Sequence, residues 1–230
     1  DMNGQYQAAF VLINFFAAFV FLGLPQQALT IPGNNLSAVF PWLLYRYIPV
    51  YAAVTVVLAL FLFFIPGPLS FVAALLVFIC ICLQAMAQLA ENIILKLNRG
   101  KSFVTQNMLY SILFISIHLL WLWQRLPVAW LIAGIALLNG IKFVAYFLVL
   151  AREKWLRAAH IPGKAEYEQQ WKFLGLNEVI GRVAGNLDKF VIIYLLTSAG
   201  FSVYYNGTYE LPFFGLLVTA IGNSLAVQLS

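Results

Sequence analysis

Four polar side chains recur at helical spacing in the largely apolar stretch between Trp171 and Thr197: they are Glu178, Arg182, Asn186 and Lys189. Their spacings of four, four and three residues place them on one face of a helix. A charged side chain at the centre of a bilayer costs about 2.5–3.5 kcal/mol on insertion scales, so such groups persist where they face a bundle interior or a watery cavity. The pattern therefore predicts a functional face on a membrane helix.

The two cations of this face are candidates for binding an anionic substrate. A guanidinium binds phosphate oxygens through two parallel hydrogen bonds, which favours Arg182 as a phosphate ligand, with Lys189 and Asn186 beside it. A structural alternative stays open, because Glu178 precedes Arg182 by four residues and this spacing suits an ion pair within one helix. Gly181 and Gly185 lie beside the face and predict the close approach of a neighbouring helix.

Two further cations extend the predicted basic lining. Lys142 lies near the middle of the segment 128–150 and shares a helical face with Asn139. Its distance from the cytoplasmic end is about 12 Å at 1.5 Å per residue, which makes it hard for the ammonium to reach the membrane surface. Arg46 begins the segment 43–65, where it would guard a cytoplasmic entrance or anchor the topology.

The carboxylates suggest coupling to a proton or sodium gradient. Glu178 and Asp188 are the candidates, since carboxylates within transporter helices commonly act as relays. Glu91 forms a polar stripe with Gln84 and Gln88, for which hydrogen bonding between helices is a sufficient explanation. His118 is expected to be a hydrogen-bonded core residue.

Neither a metal site nor a cofactor site is expected. The two histidines are far apart, and Cys80 and Cys82 face different sides of a helix, so they do not form a ligand set. The motifs of serine hydrolases, zinc proteases and phosphate-loop ATPases do not occur in the sequence. We therefore do not expect an enzyme.

The composition requires a membrane. Hydrophobic residues make up 63% of the 230 residues and charged residues only 9%, whereas a soluble domain is about half apolar and a quarter charged. The apolar runs are continuous rather than alternating, which indicates helices instead of a barrel. The sequence predicts an all-α, polytopic membrane helical bundle and excludes soluble classes, nucleic-acid binding included, despite the net charge of +5.

About seven membrane-spanning segments are predicted if each span requires about 20 predominantly apolar residues. They are 6–24, 43–65, 68–95, 104–124, 128–150, 172–198 and 209–229. The predicted organisation is a first lobe over residues 1–150, a cytoplasmic linker over 151–171, and the start of a second lobe over 172–230. Trp155 and Trp171 in the linker are expected to be interfacial anchors.

The basic residues of the loops predict the orientation. One side of the predicted topology carries nine of them: Arg46, Lys96, Arg99, Lys101, Arg152, Lys154, Arg157, Lys164 and Lys172. The other side carries only Arg125. The positive-inside rule places the nine in the cytoplasm, so the chain would enter the membrane from outside. Both ends also look cut, and we expect a further helix before Asp1.

A weak internal repeat relates the two ends of the sequence. A shift of 198 residues aligns the segment 4–19 with 202–217, and Tyr6 then meets Tyr204 while Phe15 meets Phe213. Both segments run inward from the outer surface. Repeats of the same orientation occur in transporters whose two halves are related by an axis along the membrane normal, although matches among apolar residues also arise by chance.

The segments 186–193 (NLDKFVII), 200–204 (GFSVY) and 210–212 (ELP) resemble the seventh and eighth helices of oligosaccharide flippases. These form the polysaccharide-transport branch of the multidrug/oligosaccharidyl-lipid/polysaccharide exporter superfamily. The segments 3–6 (NGQY) and 23–25 (GLP) similarly resemble its first outer loop and second helix. The resemblance implies a two-lobed fold, of which this chain supplies helices two to eight. It also implies export of lipid-linked oligosaccharides of the polyprenyl diphosphate type across a bacterial plasma membrane by alternating access.

Other functions remain open. A cation-coupled multidrug exporter of the same superfamily would need an acidic, aromatic cavity, whereas Lys142, Arg182 and Lys189 are basic. An integral-membrane glycosyl or prenyl transferase would need a cluster of acidic residues near the interface, and the loops offer only scattered glutamates. A seven-helix receptor is disfavoured by the internal repeat.

Overall fold

The structure is a computed structural model that describes residues 2–64, 69–97, 99–152 and 164–208. This part of the chain consists of α-helices joined by short turns. This confirms the all-α prediction. The helices are α1 Met2–Val20, α2 Leu24–Thr30, α3 Gly33–Arg46, α4 Ile48–Phe64, α5 Phe71–Lys96, α6 Gly100–Gln124, α7 Val128–Arg152, α8 Lys164–Leu195 and α9 Ser198–Thr208.

Three of these helices, α5, α6 and α7, are long and apolar enough to cross a membrane, so the predicted segments 68–95, 104–124 and 128–150 are helices with small shifts at their ends. Two bent pairs raise the number to five if each pair is one span: α1 with α2, bent by 58°, and α3 with α4, bent by 54°. The α8 helix covers residues 172–195 of the predicted segment 172–198 but is not among the helices that are long and apolar enough to cross a membrane. The segment 209–229 lies outside the described residues.

The centre of the bundle is the contact between α5 and α7, against which α1 and α2 also pack. Alanines make this close packing possible on several helices, for example Ala85 on α5 and Ala136 on α7, both almost fully buried. The buried residues form two clusters. One surrounds α1, the first half of α5 and the start of α7, and the other surrounds α2, α3, the last two turns of α5 and the end of α7.

The exposed surface of α6 indicates the kind of solvent that surrounds the bundle. It contains no buried residue, and large apolar side chains such as Ile112, Leu119 and Trp123 are exposed on it. A contiguous apolar surface of this kind would cause aggregation in water, whereas lipid tails are as apolar as these side chains. The exposed surface of α6 therefore supports a membrane protein.

The α1 and α9 helices lie side by side and run in the same direction. Asn3 Nδ2 donates to Ser202 Oγ at 2.8 Å, and one turn later Gln7 Nε2 donates to Asn206 Oδ1 at 2.8 Å. Both bonds join residues 199 apart in sequence, so a constant offset holds along the contact. Residues 202–208, the described part of the second repeat segment, thus run parallel to the start of the first segment and beside it.

A tight turn separates α1 from α2, and α8 packs directly on it. Leu22 and Gly23 have positive φ angles of 41° and 79°, the second of which suits glycine because it lacks a Cβ. A Cβ built on Gly175 of α8 would lie 2.5 Å from the Leu22 carbonyl oxygen. The close approach predicted for Gly181 and Gly185 is not found among the described residues, because a Cβ on either would meet nothing within 4 Å.

Candidate functional site

The polar face predicted on α8 points towards the body of the bundle. Glu178, Arg182, Asn186 and Lys189 are all half-buried. The opposite face carries exposed apolar side chains, namely Phe173, Leu176, Ile180, Leu187 and Val191. The usual arrangement of a soluble helix is therefore reversed, with polar groups inside and apolar groups outside, as expected for a helix that turns its charges away from lipid.

Two aromatic clusters hold α8 against the bundle on either side of this polar face. At its start, Trp171 stacks on Tyr47 with the ring centroids 3.9 Å apart. Towards its end, Phe190 stacks on Phe15 of α1 at 5.1 Å and also contacts Phe61 of α4 at 5.6 Å. At 1.5 Å per residue the two clusters are separated by about 28 Å. The polar face thus lies on a helix whose position is fixed at both ends.

Arg182 and Lys189 form no close ion pair with another described residue. The close ion pairs in the described part of the chain are Lys142–Glu91 and Lys172–Glu168, and neither includes the two cations of α8. Glu178 acts on Arg182 only through its electrostatic field, so the structural alternative of an intrahelical pair is not formed here. Asn186 donates from Nδ2 to the Arg182 carbonyl oxygen at 3.1 Å, which keeps its amide beside the arginine.

The two carboxylates predicted to couple transport have different environments. Glu178 lies near the backbone N–H of Gly23 in the α1–α2 turn, while its Oε2 is buried without a hydrogen-bond partner. Asp188 is exposed and accepts a hydrogen bond of 2.7 Å from the Tyr204 hydroxyl of α9. Of the two, only Glu178 faces the interior with an unused oxygen.

Lys142 belongs to a separate polar site in the first-lobe helices. Its Nζ lies 2.7 Å from Glu91 Oε2, and the two side chains are only 13% and 19% exposed. The ammonium also lies over the ring of Tyr110 at 4.8 Å and near that of Tyr146 at 5.9 Å from the centroids. Lys142 therefore pairs with Glu91 and does not form one cluster with Arg182 and Lys189.

Hydrogen bonds tie the surroundings of Lys142 to three helices. Tyr110 on α6 donates to Asn139 Oδ1 on α7 at 3.1 Å, and Asn139 Nδ2 lies 3.6 Å from Cys80 Sγ on α5. Asn107 on α6 donates to the Tyr146 hydroxyl at 3.0 Å. Sequence reasoning missed this network and the partner of Lys142. The available signal was the presence of one acidic residue, Glu91, and one basic residue, Lys142, within two of the apolar segments.

Arg46 is exposed at the end of α3, next to the bend between α3 and α4. It acts electrostatically on Glu168 near the start of α8, so it lies at that end of α8 rather than beside Arg182. Trp171, expected to be an interfacial anchor, is instead buried with 6% of its surface exposed. This expectation was wrong, because the indole fills the space between Tyr47 and Tyr51.

The predicted linker 151–171 is partly a helix that docks on the bundle. Residues 164–171 form the first two turns of α8, and Trp155 lies outside the described residues. The Tyr47 hydroxyl donates to Glu168 Oε1, and this bond holds the pKa of the Glu168 carboxyl below its usual value near 4.5. Gln27 Nε2 of α2 donates to the Tyr167 carbonyl oxygen at 2.8 Å, so the start of α8 is bonded to two neighbouring helices.

Replacing Tyr47 by phenylalanine should therefore lower stability in a pH-dependent way. Because the pKa of Glu168 is depressed in the folded state, its stabilising effect is present above about pH 4.5 and is lost as the pH falls through the folded-state pKa. Melting curves of Tyr47→Phe and the native protein in detergent, followed by tryptophan fluorescence, should differ at pH 7 and converge at an acidic pH at which Glu168 is protonated in the folded state as well. The stack on Trp171 is kept in this variant, so an equal difference at both pH values would contradict the role of the hydroxyl.

His118 is hydrogen-bonded, as expected, but it is half-buried on α6 and does not belong to the core. Its Nδ1 lies 2.7 Å from the Phe114 carbonyl oxygen and its Nε2 lies 2.8 Å from the Tyr6 hydroxyl. The carbonyl can only accept, so Nδ1 carries the proton and Nε2 accepts from Tyr6. A search of the described residues finds no group of histidine, cysteine and carboxylate side chains that would hold a metal ion.

An apolar groove of about 720 Å³ opens between α3, α5 and α7. Its walls include Phe40, Leu44, Met86, Phe143 and Phe147. None of the predicted basic residues lines it, so it is not the basic central cavity predicted from the sequence.

Comparison with known proteins does not assign the chain to a family. It matches no family model, no curated protein and no solved structure.

Proposed function

We propose that the chain is part of a secondary transporter that flips lipid-linked oligosaccharides across a bacterial plasma membrane. The observation that supports this most directly is the pair of cations on the inward face of α8, Arg182 and Lys189, which form no close ion pair among the described residues. Half-buried positive charges that form no direct ion pair are only partly compensated by Glu178 and Asp188, which act on them through the electrostatic field, and this is unfavourable in a low-dielectric interior. An anionic substrate would remove that cost.

A polyprenyl diphosphate fits these groups. Its phosphate oxygens accept two parallel hydrogen bonds from a guanidinium, and an ammonium adds a compact charge beside it. Arg182 and Lys189 are seven residues apart, or about 10 Å along the helix, a span over which both long side chains can reach one diphosphate. Asn186 lies between them and offers an amide to the glycan or to a phosphate oxygen.

The proposed architecture is an alternating-access transporter of two lobes and about seven spans in this chain. The first lobe would comprise residues 1–150, with residues 172–230 beginning the second and the basic loops facing the cytoplasm. The parallel contact of α1 with α9 supports a repeat of equal orientation in the two lobes. The headgroup would move along the inward face of α8, while the lipid tail stays in the bilayer.

The test is transport by the reconstituted chain. The probe is a fluorescent oligosaccharide on polyprenyl diphosphate, placed in vesicles, and its movement between leaflets is followed by quenching from outside. We expect the Arg182→Gln/Lys189→Gln variant to lose transport by at least about 100-fold, since each charge-assisted hydrogen bond is worth about 1.5–3 kcal/mol. Transport by this variant at the native rate would refute the proposed role of the two cations.

A matched control uses the same helix. Lys172→Gln also removes one positive charge from α8, but the Lys172 side chain is 64% exposed and pairs with Glu168. We expect its transport rate to remain within about twofold of the native rate, because exposed ion pairs contribute little. A loss equal to that of the double variant would show that total charge, and not the inward face, controls transport.

A further inference from the structure

The apolar groove between α3, α5 and α7 has no role in the substrate site proposed above. The α5 and α7 helices have the most extensive contact in the bundle, whereas α3 packs on α2, α4 and α8 and meets α4 at a bend of 54°. The groove that separates α3 from the α5–α7 pair has a volume of about 720 Å³. Tyr45, Met86 and Phe147 on its walls are exposed, so it opens on the outer surface of the bundle.

The walls of the groove offer hydrocarbon and almost no hydrogen-bonding groups. Of the 14 residues that line it, only Tyr45 has a side chain with a hydroxyl, amide or charged group. A site for a polar small molecule places several such groups among the apolar ones in order to fix the orientation of the ligand. The composition of the walls therefore fits an alkyl chain.

The dimensions of the groove match one leaflet of a bilayer. It extends along α5 from Met86 to Ile93 and along α7 from Phe143 to Ala151, which is about 10–12 Å at 1.5 Å per residue. The hydrocarbon of one leaflet is about 15 Å deep. Over that length a volume of about 720 Å³ corresponds to a cross-section of roughly 65 Å², whereas a helix with its side chains, about 10–12 Å wide, needs roughly 80–110 Å². An acyl chain thus fits better than a helix of another protein.

An exposed cation lies at one end of the groove. Arg46 directly follows Tyr45 and precedes Ile48 by two residues, and both of these line the groove. The α4 and α5 helices follow each other in the chain and pack together, so the start of α4, near Arg46, lies on the same side as the end of α5. This is the side predicted to be cytoplasmic. Basic sites between membrane helices on that side bind anionic lipid headgroups.

The guanidinium of Arg46 is available for a phosphate. Arg46 is exposed and forms no close ion pair with another described residue. The carboxylate that acts on it electrostatically, Glu168, accepts a hydrogen bond from the Tyr47 hydroxyl and lies 3.6 Å from Lys172 Nζ. A headgroup therefore does not have to break an ion pair in order to reach Arg46, and a guanidinium binds phosphate oxygens in a bidentate fork.

We propose that the groove binds an anionic phospholipid of the cytoplasmic leaflet, with an acyl chain against α5 and α7 and the phosphate at Arg46. The chain gains contact with an apolar surface that is concave on three sides, and the charge at its end selects an anionic headgroup. The bound lipid fills the space between α3 and the α5–α7 pair. This site does not depend on the proposed transport function.

The first test uses the native chain in vesicles of phosphatidylcholine that contain a small fraction of phosphatidylglycerol with a photoactivatable group in one acyl chain. Labelled residues are mapped by mass spectrometry of peptides. We expect labelling per residue at 86–93 and 143–151 to exceed that of α6 by at least about fivefold, the preference that one basic residue gives an anionic lipid. An excess of unlabelled phosphatidylglycerol should reduce labelling in the groove but not on α6, which has no buried residue. Equal labelling of both regions would show contact with bulk lipid only and overturn the proposal.

The second test fills the groove. Ala151 is exposed at its edge, so Ala151→Trp places a ring where the acyl chain would lie. Native mass spectrometry of the purified chain, titrated with phosphatidylglycerol, should show an affinity reduced by at least about tenfold, because the displaced methylene groups lose their apolar contacts. Ala184→Trp adds the same ring at an exposed alanine of α8 outside the groove and should bind as the native chain does. Native affinity in Ala151→Trp would overturn the site, and if this variant fails to fold, the labelling of the native chain decides.

The headgroup is tested at the same time. In the same titration, Arg46→Gln should weaken binding of phosphatidylglycerol by about fivefold and leave that of phosphatidylcholine unchanged. Lys101→Gln removes a charge that is exposed at the start of α6, and its affinity should stay within about twofold of the native value. Equal losses in the two variants would overturn the role of Arg46.

Two other occupants would be recognised by their own results. If polyprenyl diphosphate suppressed the labelling of the groove, the groove would belong to the tail of the proposed substrate and the phospholipid site would be overturned. If a dimer of the native chain disappeared in Ala151→Trp, a second copy would occupy the groove instead. A failure of the flippase proposal would appear differently, as no transport of the diphosphate probe with the binding of phosphatidylglycerol intact.

Discussion

Replacement of Lys142 by methionine is expected to lower the free energy of unfolding by about 3–5 kcal/mol. Removing one partner of a buried ion pair leaves the other charge without compensation, and Glu91 is only 19% exposed beside Lys142. Methionine keeps most of the length of the lysine side chain, so the change isolates the charge. The measurement is unfolding of the purified chain by SDS in mixed micelles, followed by tryptophan fluorescence.

Two controls make this result specific. The double variant Glu91→Gln/Lys142→Met has no unpaired charge and should lie within about 1.5 kcal/mol of the native protein. Lys101→Met removes a lysine that is exposed at the start of α6 and should change stability by no more than about 0.5 kcal/mol. Equal losses in the single and double Lys142 variants would contradict the compensation of charge and indicate a packing effect instead.

Introduction of one methyl group at Gly175 should be the second large effect. In Gly175→Ala the new Cβ would lie 2.5 Å from the Leu22 carbonyl oxygen and 3.1 Å from its carbonyl carbon. The obstacle is backbone in a turn with two positive φ angles, so it cannot move as a side chain would. We expect a loss of about 1–3 kcal/mol in the same unfolding measurement, the usual cost of overfilling a packed site.

The chain contains matched controls for this change on the same helix. Gly181→Ala and Gly185→Ala add the same methyl group where nothing lies within 4 Å. Alanine favours a helix over glycine by about 1 kcal/mol, so both controls should be neutral or stabilising. A loss of stability at Gly181 or Gly185 as large as that at Gly175 would show that these positions contact a surface outside the described residues.

The long apolar runs were predictable because bilayer thickness fixes the length of a span. The helices α5, α6 and α7 follow from continuous hydrophobicity and from breakers such as Gly100 and Pro127. The bends were not predictable by the same reasoning. Pro25 predicts an end to the first segment, yet the chain re-forms a helix after Gly23 with this proline in its first turn, a position where the missing N–H has no cost.

The sequence did not predict which side chains pair between different helices. The inward face of α8 follows from helical spacing, because one period relates Glu178, Arg182 and Lys189. The choice of Lys142 as the partner of Glu91 depends on how α5 and α7 are rotated about their axes, which no local pattern specifies. The same limit explains Trp171, since an aromatic residue at a segment end fits both a membrane interface and a buried stack.

The parallel contact of α1 with α9 has a consequence for biosynthesis. Asn3 and Gln7 are synthesised 199 residues before Ser202 and Asn206. At about 5–20 residues per second, the two amides would wait roughly 10–40 seconds before their final acceptors exist. During that interval α1 lacks its two hydrogen bonds to α9, and it would then be most exposed to quality-control proteases and most dependent on a temporary neighbour.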